Sequence, residues 1–246
     1  MTGSDPIRQS RRQQRLKAAI FDVDGVLLAS PHERAWREAL VGFADPARFT
    51  PELYETQVAG KPRMDGALAT LMALGVEQPE RHVVSYAERK QARLEELIRD
   101  GQVTAFPDAL RFVQSTAELG LPMAVASSSK NANGMMKAAK LPSGQSLYDM
   151  FSVNVCGVDL PEGKPNPAIF LLAAQGLGIE PAACFVAEDA PAGVKAAAAG
   201  GMSPLGIARN HDESLLQAAG ADLVVTSFDE VAIDDLAQGR LCRRSS

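Results

Sequence analysis

Short, mainly apolar runs alternate along this chain with longer segments in which apolar residues recur every three or four positions. The runs are bounded by turn residues and predict strands, and they lie at residues 18–21, 122–127, 152–156, 183–187, 204–208 and 222–226. The segments with helical spacing predict helices over residues 107–119, 131–139, 167–174, 190–199 and 213–218. Buried strands that alternate with helices predict an α/β fold, a Rossmann-like parallel sheet with helices on both faces.

The stretch after the first strand has a different pattern. No convincing strand lies between residues 31 and 100, where apolar residues recur at helical spacing. The predicted organisation is a helical cap at residues 31–104, a core at 16–30 and 105–238, a disordered tail at 1–15 and a frayed tail at 239–246. Because the cap leaves the sheet beside the end of the first strand, we expect it to close as a lid. The alternative is a helical subdomain that only adds stability.

Composition excludes several classes of protein. The 246 residues are 46% hydrophobic and 22% charged, with a formal net charge of −5, which predicts a globular protein with neither nucleic acid nor membrane as a partner. The three cysteines lack Cys-x-x-Cys spacing, so a disulfide framework or a zinc site is not expected. Free cysteines and the lack of a signal peptide pattern favour the cytoplasm, and a monomer is expected.

Two carboxylates follow the first predicted strand. Asp22 and Asp24 are spaced i, i+2, and Gly25 then turns the chain away. Such residues share a face of extended backbone, so both would point into one crevice at the carboxyl edge of the sheet, where open α/β folds bind ligands. Two carboxylates held together repel unless a cation intervenes, and Mg2+ prefers oxygen ligands. For this motif alone, an acidic turn without function is the alternative.

Later strand ends carry further polar residues. The segment from Ser127 to Asn131 predicts either a cradle for an anion or an ordinary helix cap. Lys164 lies in a loop stiffened by two prolines, and it is either aimed at an anion or solvated. Glu188 and Asp189 end a central strand, where they either cap a helix or join the first carboxylate pair. Four carboxylates at one edge predict Mg2+.

Together these motifs resemble those of the haloacid dehalogenase superfamily, and the helical insertion resembles its β-phosphoglucomutase-like branch. The likeness extends over residues 17–228. The motifs that carry it are, in chain order, Asp22-x-Asp24-Gly25-Val26, Ser127, Lys164-Pro-x-Pro and Glu188-Asp189.

The resemblance implies Mg2+-dependent phosphoryl transfer through an aspartyl-phosphate. Asp22 would be the nucleophile, and Asp24 the general acid and then the base. Ser127 and Lys164 would bind the transferring phosphoryl group. An acid at position 24 favours phosphate esters over dehalogenation or phosphonate cleavage. The implied Mg2+ ligands are Asp22, the backbone carbonyl of Asp24, Asp189 and, close behind them, Glu188.

The resemblance also implies residues that bind a small phosphorylated sugar. Arg63 would grip a phosphate from the cap, and His32 would help to gate Asp24 from the cap hinge. For Arg63 and Lys90 the alternative is a solvated helix charge. The implied set is His32, Gly60, Lys61, Arg63, Lys90, Ser128, Ser129, Lys130 and Asn131.

Some positions depart from the mutase pattern. Ala29 stands where an aspartate is common and Gly66 where the mutase has a serine, and the segment between Ser30 and Trp36 is shorter. A mutase must keep water off its aspartyl-phosphate, whereas a phosphatase admits water, and the fit of the lid decides between them. The sequence favours a β-phosphoglucomutase-like enzyme, with a sugar-phosphate phosphatase as the alternative. A non-catalytic sugar-phosphate binding module is a remote third possibility.

Overall fold

The computed structural model describes residues 15–209 and 212–245. The disordered tail predicted at 1–15 lies outside these residues, apart from Arg15. The strands are β1 (Ala18–Phe21), β2 (Leu28–Ala29), β3 (Thr104–Ala105), β4 (Met123–Val125), β5 (Val153–Asn154), β6 (Cys184–Glu188), β7 (Ser203–Ile207) and β8 (Leu223–Val225).

The helices alternate with these strands. They are α1 (His32–Ala39), α2 (Pro51–Leu53), α3 (Arg63–Ala73), α4 (Val83–Arg99), α5 (Pro107–Glu118), α6 (Ala132–Ala138), α7 (Ala168–Leu177), α8 (Pro191–Ala199), α9 (Glu213–Ala219) and α10 (Ile233–Ala237). A π-helical turn spans Tyr54–Val58, and 3-10 turns lie at Pro46–Arg48, Pro79–Arg81, Leu147–Met150, Pro181–Ala183 and Phe228–Glu230.

Within the described ranges, six strands form one parallel sheet. Their order is β5-β4-β1-β6-β7-β8, so β1 lies between β4 and β6. Crossover connections between parallel strands carry the helices onto both faces. This arrangement confirms the predicted α/β fold.

Strand β1 is held by packing on both faces of the sheet. Ile20 packs with α7 on one face, and Phe21 is buried on the other. Burial on both faces explains why β1 is a continuous apolar run rather than an alternating one. The strand therefore holds the backbone of Asp22 firmly at its end. The ring centroid of Phe21 lies 5.8–6.3 Å from those of Phe112, Phe151, Phe185 and Phe228.

The segment predicted as a cap has a hydrophobic cluster of its own. Helices α1, α3 and α4 pack around it, and the Tyr86 hydroxyl donates to the carbonyl of Trp36 at 2.9 Å. Strands β2 and β3 pair antiparallel where the chain leaves and re-enters the core. This pairing was not predicted, since a two-residue ladder has no periodicity. The limits 31–104 stay a prediction.

The end of the chain corrects one expectation. Residues 240–244 were expected to fray, yet Val231 forms a bridge with Arg243. The backbone N–H of Ala232 donates to the carbonyl of Cys242, and that of Arg244 to the carbonyl of Glu230. These hydrogen bonds tie the segment to the turn that precedes α10, which the sequence pattern also did not predict.

Two further expectations concern the class of protein. The three cysteines are free thiols. Among the helices of the described ranges, none combines the length and the apolar character that a bilayer crossing requires. The cytoplasmic location and the monomeric state stay predictions.

Candidate active site

The carboxyl edge of the sheet brings the predicted motifs together. Phe21, the last residue of β1, is in register with the last residue of β4 and with the fourth residue of β6. Because the strands are parallel, the residues that follow them emerge at the same edge. Asp22, Ser127 and the Glu188-Asp189 pair therefore share one end of the sheet.

Lys164 lies between two buried carboxylates. Its Nζ donates to Asp22 Oδ1 at 2.5 Å and also to Glu188 Oε1, and all three side chains are almost fully buried. Burial alone would lower the pKa of Lys164, but Asp22 and Glu188 outweigh it and raise that pKa. Lys164 is thus a fixed cation at the end of β1, not a solvated loop lysine.

Glu188 holds the side chain of Lys164 in place. Its Oε1 accepts from Lys164, and its Oε2 accepts the backbone N–H groups of Asp189 and Ala190, each at 3.1 Å. Gly193 in α8 makes room for it, since a Cβ there would lie 1.9 Å from Oε1. Burial raises the pKa of Glu188, although Lys164 partly opposes the shift. Glu188 therefore positions Lys164 and does not face the cavity.

Asp189 approaches the turn that follows Asp22 and Asp24. A Cβ on Gly25 would lie 1.8 Å from Asp189 Oδ2, and Gly25 has a φ of +81°. Only glycine satisfies both the backbone conformation and this close approach. Burial, followed by the charges of Glu188 and Asp22, raises the pKa of Asp189 well above its usual value. The carboxylate therefore lies in a region with excess negative charge.

A chain of polar groups runs from Asp24 into the cap. His32 Nε2 lies 3.6 Å from Asp24 Oδ1, and Lys90 Nζ lies 3.1 Å from His32 Nδ1. Within the described part of the chain, neither Asp24 Oδ1 nor His32 Nε2 has a hydrogen-bond partner although both are buried. Burial raises the pKa of Asp24, while a hydrogen bond with Ser30 opposes the rise. A raised pKa suits a carboxyl group that must donate a proton.

Burial and proximity to Lys90 lower the pKa of His32 well below its usual value, so the imidazole is neutral. Burial also lowers the pKa of Lys90 to about 7, while Asp24 opposes that shift. The Lys90 ammonium lies 4.8 Å from the centroid of the Trp36 ring. The cap thus places a titratable cation behind the histidine that faces Asp24.

Lys90→Met is expected to change how stability depends on pH. With a pKa of about 7 in the folded protein against an ordinary 10.5, Lys90 binds fewer protons folded than unfolded between these values. Stability therefore rises with pH in this window, with a slope that approaches about 1.4 kcal/mol per pH unit. Urea unfolding of both proteins between pH 7 and about pH 8.5, below the ordinary range of tyrosine, measures the slope. The unfolding free energy of the wild type should rise relative to that of the variant.

Lys140→Met provides the control, because Lys140 is exposed. Its unfolding free energy should run parallel to that of the wild type across the same range. Parallel curves for Lys90→Met would contradict the assignment of a depressed pKa to Lys90.

One cavity of about 260 Å³ joins the cap to the core. Of the predicted site residues, Glu188 alone does not line it. Gln91 Nε2 on the cap donates to Asn131 Oδ1 on the core at 3.2 Å, so the two parts meet across the cavity. The predicted residues that line it are Asp22, Asp24, His32, Gly60, Lys61, Arg63, Lys90, Ser127, Ser128, Ser129, Lys130, Asn131, Lys164 and Asp189.

The turn after β4 is organised by its own hydroxyls. Ser127 Oγ accepts the N–H of Ser129 at 3.2 Å, and Ser129 Oγ accepts the N–H of Asn131 at 3.3 Å. Lys130 Nζ pairs with the exposed Asp159 at 2.7 Å at the mouth of the cavity. An exposed pair of this kind is weak and can yield to an anionic ligand.

The sequence did not single out some cavity residues. Trp36 packs in the cap cluster and also lines the cavity. Tyr54 and Gln91 also line the cavity. The sequence did not indicate that these residues line a cavity, because they lie in segments with ordinary helical spacing. They face the cavity only because the cap packs on the core.

The four predicted carboxylates do not form one ligand cluster. Among the described residues, no three acidic, histidine or cysteine side chains are grouped as a metal-ion site. Lys164 lies between Asp22 and Glu188 and forms an ion pair with each of them. A cation site at this edge would therefore depend on fewer carboxylates than expected, with backbone oxygen in addition.

The family match and the relatives of the chain show that it is an enzyme of the phosphomutase or phosphatase kind. The haloacid dehalogenase-like hydrolase family matches residues 16–201, and the chain belongs to this family, in its β-phosphoglucomutase-like branch.

Relatives cover most of the chain. A beta-phosphoglucomutase of Mycobacterium bovis is 34% identical over 249 aligned positions, which cover 89% of this chain and 92% of the relative. Hexitol phosphatase A of Escherichia coli is 29% identical and covers 92% of this chain and 97% of its own. The crystal structure of an archaeal beta-phosphoglucomutase from Pyrococcus sp. Strain ST 04 is 32% identical with a TM-score of 0.72, over 89% of this chain and 96% of that one.

Proposed function

We propose that the protein transfers a phosphoryl group on a small phosphorylated sugar through an aspartyl-phosphate on Asp22, in the manner of a β-phosphoglucomutase. The observation that carries the proposal is the buried Lys164–Asp22 contact at the floor of a cavity whose roof is the cap. A carboxylate fixed by a lysine at a strand end is held in one orientation, as a nucleophile must be.

In the first step, a carboxylate oxygen of Asp22 attacks phosphorus and the bond from phosphorus to the sugar oxygen breaks. Asp24 donates its proton to that leaving oxygen. The raised pKa of Asp24 supports this role, since the group must be protonated when the ester binds. Lys164 and the Ser127 hydroxyl would hold the phosphoryl oxygens as charge moves onto them.

In the second step, a sugar hydroxyl attacks the phosphoryl group and Asp24 takes the hydroxyl proton. The bond between phosphorus and the Asp22 oxygen breaks, and both carboxyl groups return to their first state. Arg63, Lys130 and Asn131 also line the cavity and would bind a second phosphate. His32 and Lys90 would hold Asp24 toward the substrate.

Mg2+ is the proposed cofactor. Asp22, Asp189 and the backbone carbonyl of Asp24 would hold it, because hard oxygen ligands suit this ion. The raised pKa of Asp189, caused by burial and by Glu188 and Asp22, supports a cation on that side of the site. When bound, the ion supplies charge neutralisation for the phosphoryl oxygens. Glu188 is already engaged by Lys164 and two backbone N–H groups, so it would orient ligands rather than serve as one.

A sugar-phosphate phosphatase is the second candidate. Gly66 supports it, because a side chain there would meet Trp36 at 3.1 Å and Val58 at 3.3 Å. The serine hydroxyl of the mutase pattern therefore does not fit at this position without a shift of its neighbours. Hydrolysis of another sugar phosphate would follow from the same Asp22 chemistry.

The test supplies β-glucose 1-phosphate, Mg2+ and a trace of β-glucose 1,6-bisphosphate. Glucose 6-phosphate should form faster than free phosphate, as measured by coupled assays for each product. Free phosphate as the sole product would reject the mutase and support the phosphatase. No conversion of this substrate, of other phosphorylated sugars or of p-nitrophenyl phosphate would support a binding module. EDTA should stop either reaction.

A further inference from the structure

A close steric contact between the cap and the core lies beside Lys164. The cap loop (residues 60–62) lies against the core loop (residues 162–164). A Cβ on Gly60 would lie 3.4 Å from the Cβ of Ala190 and 3.8 Å from Lys164 Cδ. A Cβ on Gly163 would lie only 2.1 Å from both Cδ and Cγ of Pro62. The ring of Pro62 thus occupies the space that any side chain at position 163 would need.

Backbone conformation does not explain the glycine at position 163. Its φ lies outside the left-handed region, so an alanine could adopt this backbone without strain. The requirement comes from the opposing ring alone. Gly163 and Pro62 are therefore complementary in shape. The rigid ring of Pro62 on the cap fills the space that a side chain at position 163 on the core would occupy.

The position of this contact gives it a chemical consequence. Gly163 directly precedes Lys164, whose ammonium contacts Asp22. Pro62 directly precedes α3, which begins at Arg63. The Pro62 ring is apolar, and its nitrogen carries no N–H that could donate a hydrogen bond to water between the two loops. The ring lies over the loop that carries the lysine, and Arg63, the next residue along the chain, lines the cavity.

We propose that Pro62 and Gly163 form a steric latch that decides whether the phosphoryl group on Asp22 passes to water or to a sugar hydroxyl. The proposal rests on the function proposed above. In both outcomes an oxygen attacks phosphorus, the bond from phosphorus to the Asp22 oxygen breaks, and the proton of the attacking oxygen passes to Asp24. The latch acts on the supply of water, because a closed cap excludes it.

The test compares Gly163→Ala, Pro62→Ala and the double variant with the wild type. Gly163→Ala adds a Cβ that collides with the ring and holds the cap open. Pro62→Ala removes Cγ and Cδ, and the nearest remaining Pro62 atom, its backbone nitrogen, is 3.5 Å from that Cβ. The double variant should therefore close again. Gly134→Ala is the matched control, because that glycine also lacks a left-handed φ and has no atom within 4 Å of its would-be Cβ.

Two readouts separate the latch from the chemistry. Amide hydrogen exchange of residues 58–64 in the free enzyme should accelerate on the order of tenfold in Gly163→Ala and return toward the wild-type rate in the double variant. With β-glucose 1-phosphate and the 1,6-bisphosphate, the ratio of free phosphate to glucose 6-phosphate should rise on the order of tenfold in Gly163→Ala and fall again in the double variant.

The outcomes are distinct. If Gly163→Ala matches Gly134→Ala in both readouts, or if the double variant is no closer to the wild type than Gly163→Ala, the latch is rejected. If exchange responds as expected but the product ratio of an active wild type does not, the contact does not control water and the proposal is also rejected. A wild type that makes no glucose 6-phosphate contradicts the proposed function itself, whatever the exchange data show. Circular dichroism melting confirms that each variant is folded.

Discussion

Asp22→Asn is expected to lower phosphate-ester turnover by at least about 10⁴-fold, because the amide is a poor nucleophile and cannot form the acyl phosphate. The substitution keeps the shape of the side chain, and its carbonyl oxygen can still accept from Lys164. The loss should appear in kcat with p-nitrophenyl phosphate and with sugar phosphates alike. Asp100→Asn, at an exposed position after α4, should retain wild-type turnover.

The same variant should not lose stability. Burial raises the pKa of Asp22, with Lys164 opposing and Asp24 adding to the shift. A raised carboxyl pKa means that the folded protein binds more protons than the unfolded chain, so stability falls as pH rises through that window. Removing the charge at neutral pH should therefore leave the urea midpoint in EDTA unchanged or higher. Residual activity near the wild-type level would contradict the nucleophile assignment. A large loss of stability would contradict the raised pKa of Asp22.

Lys164→Met is expected to cost about 3–5 kcal/mol of stability, because breaking a buried ion pair leaves its partners uncompensated. Two carboxylates, Asp22 and Glu188, lose their common cation in this variant. Turnover should fall at least about 100-fold as well, since the fixed positive charge beside the phosphoryl group is lost. Urea unfolding in EDTA measures the first effect, and p-nitrophenyl phosphate hydrolysis the second.

A second substitution makes this prediction specific. Glu188→Gln in the Lys164→Met background removes one uncompensated charge and should recover part of the lost stability without restoring turnover. Lys140→Met, at an exposed position after α6, provides the control for loss of a lysine. If Lys164→Met unfolds at the wild-type midpoint, the ion pairs at the end of β1 do not hold the site together.

These expectations express one physical property of the site. Burial raises the pKa of each of the carboxyl groups of Asp22, Asp24, Glu188 and Asp189. Keeping these four carboxyl groups buried lowers the stability of the fold, and it concentrates charge at the site proposed for phosphoryl transfer. Substitutions that neutralise them should therefore separate activity from stability, whereas loss of the lysine should lower both.

Much of the fold could be predicted from local pattern. The apolar runs of β1 (Ala18–Phe21) and of residues 184–187 in β6 are buried on both faces of a parallel sheet, so each run can be recognised without its neighbours. The i, i+2 spacing of Asp22 and Asp24, and the strand ends that carry Ser127 and Asp189, were equally local. Parallel strands deliver their ends to one edge, so these motifs could be expected to meet.

What the sequence alone determined is therefore the set of strands, the edge where they end and the residue types that collect there. The tertiary structure decided which groups actually touch. Lys164 was expected to be either aimed at an anion or solvated, and the fold places it against Asp22, 142 positions away, and against Glu188. Gln91 with Asn131, and Pro62 with Gly163, meet only when the cap packs on the core. Contacts between distant segments depend on shape and distance in the folded chain, and no periodicity along the sequence encodes them.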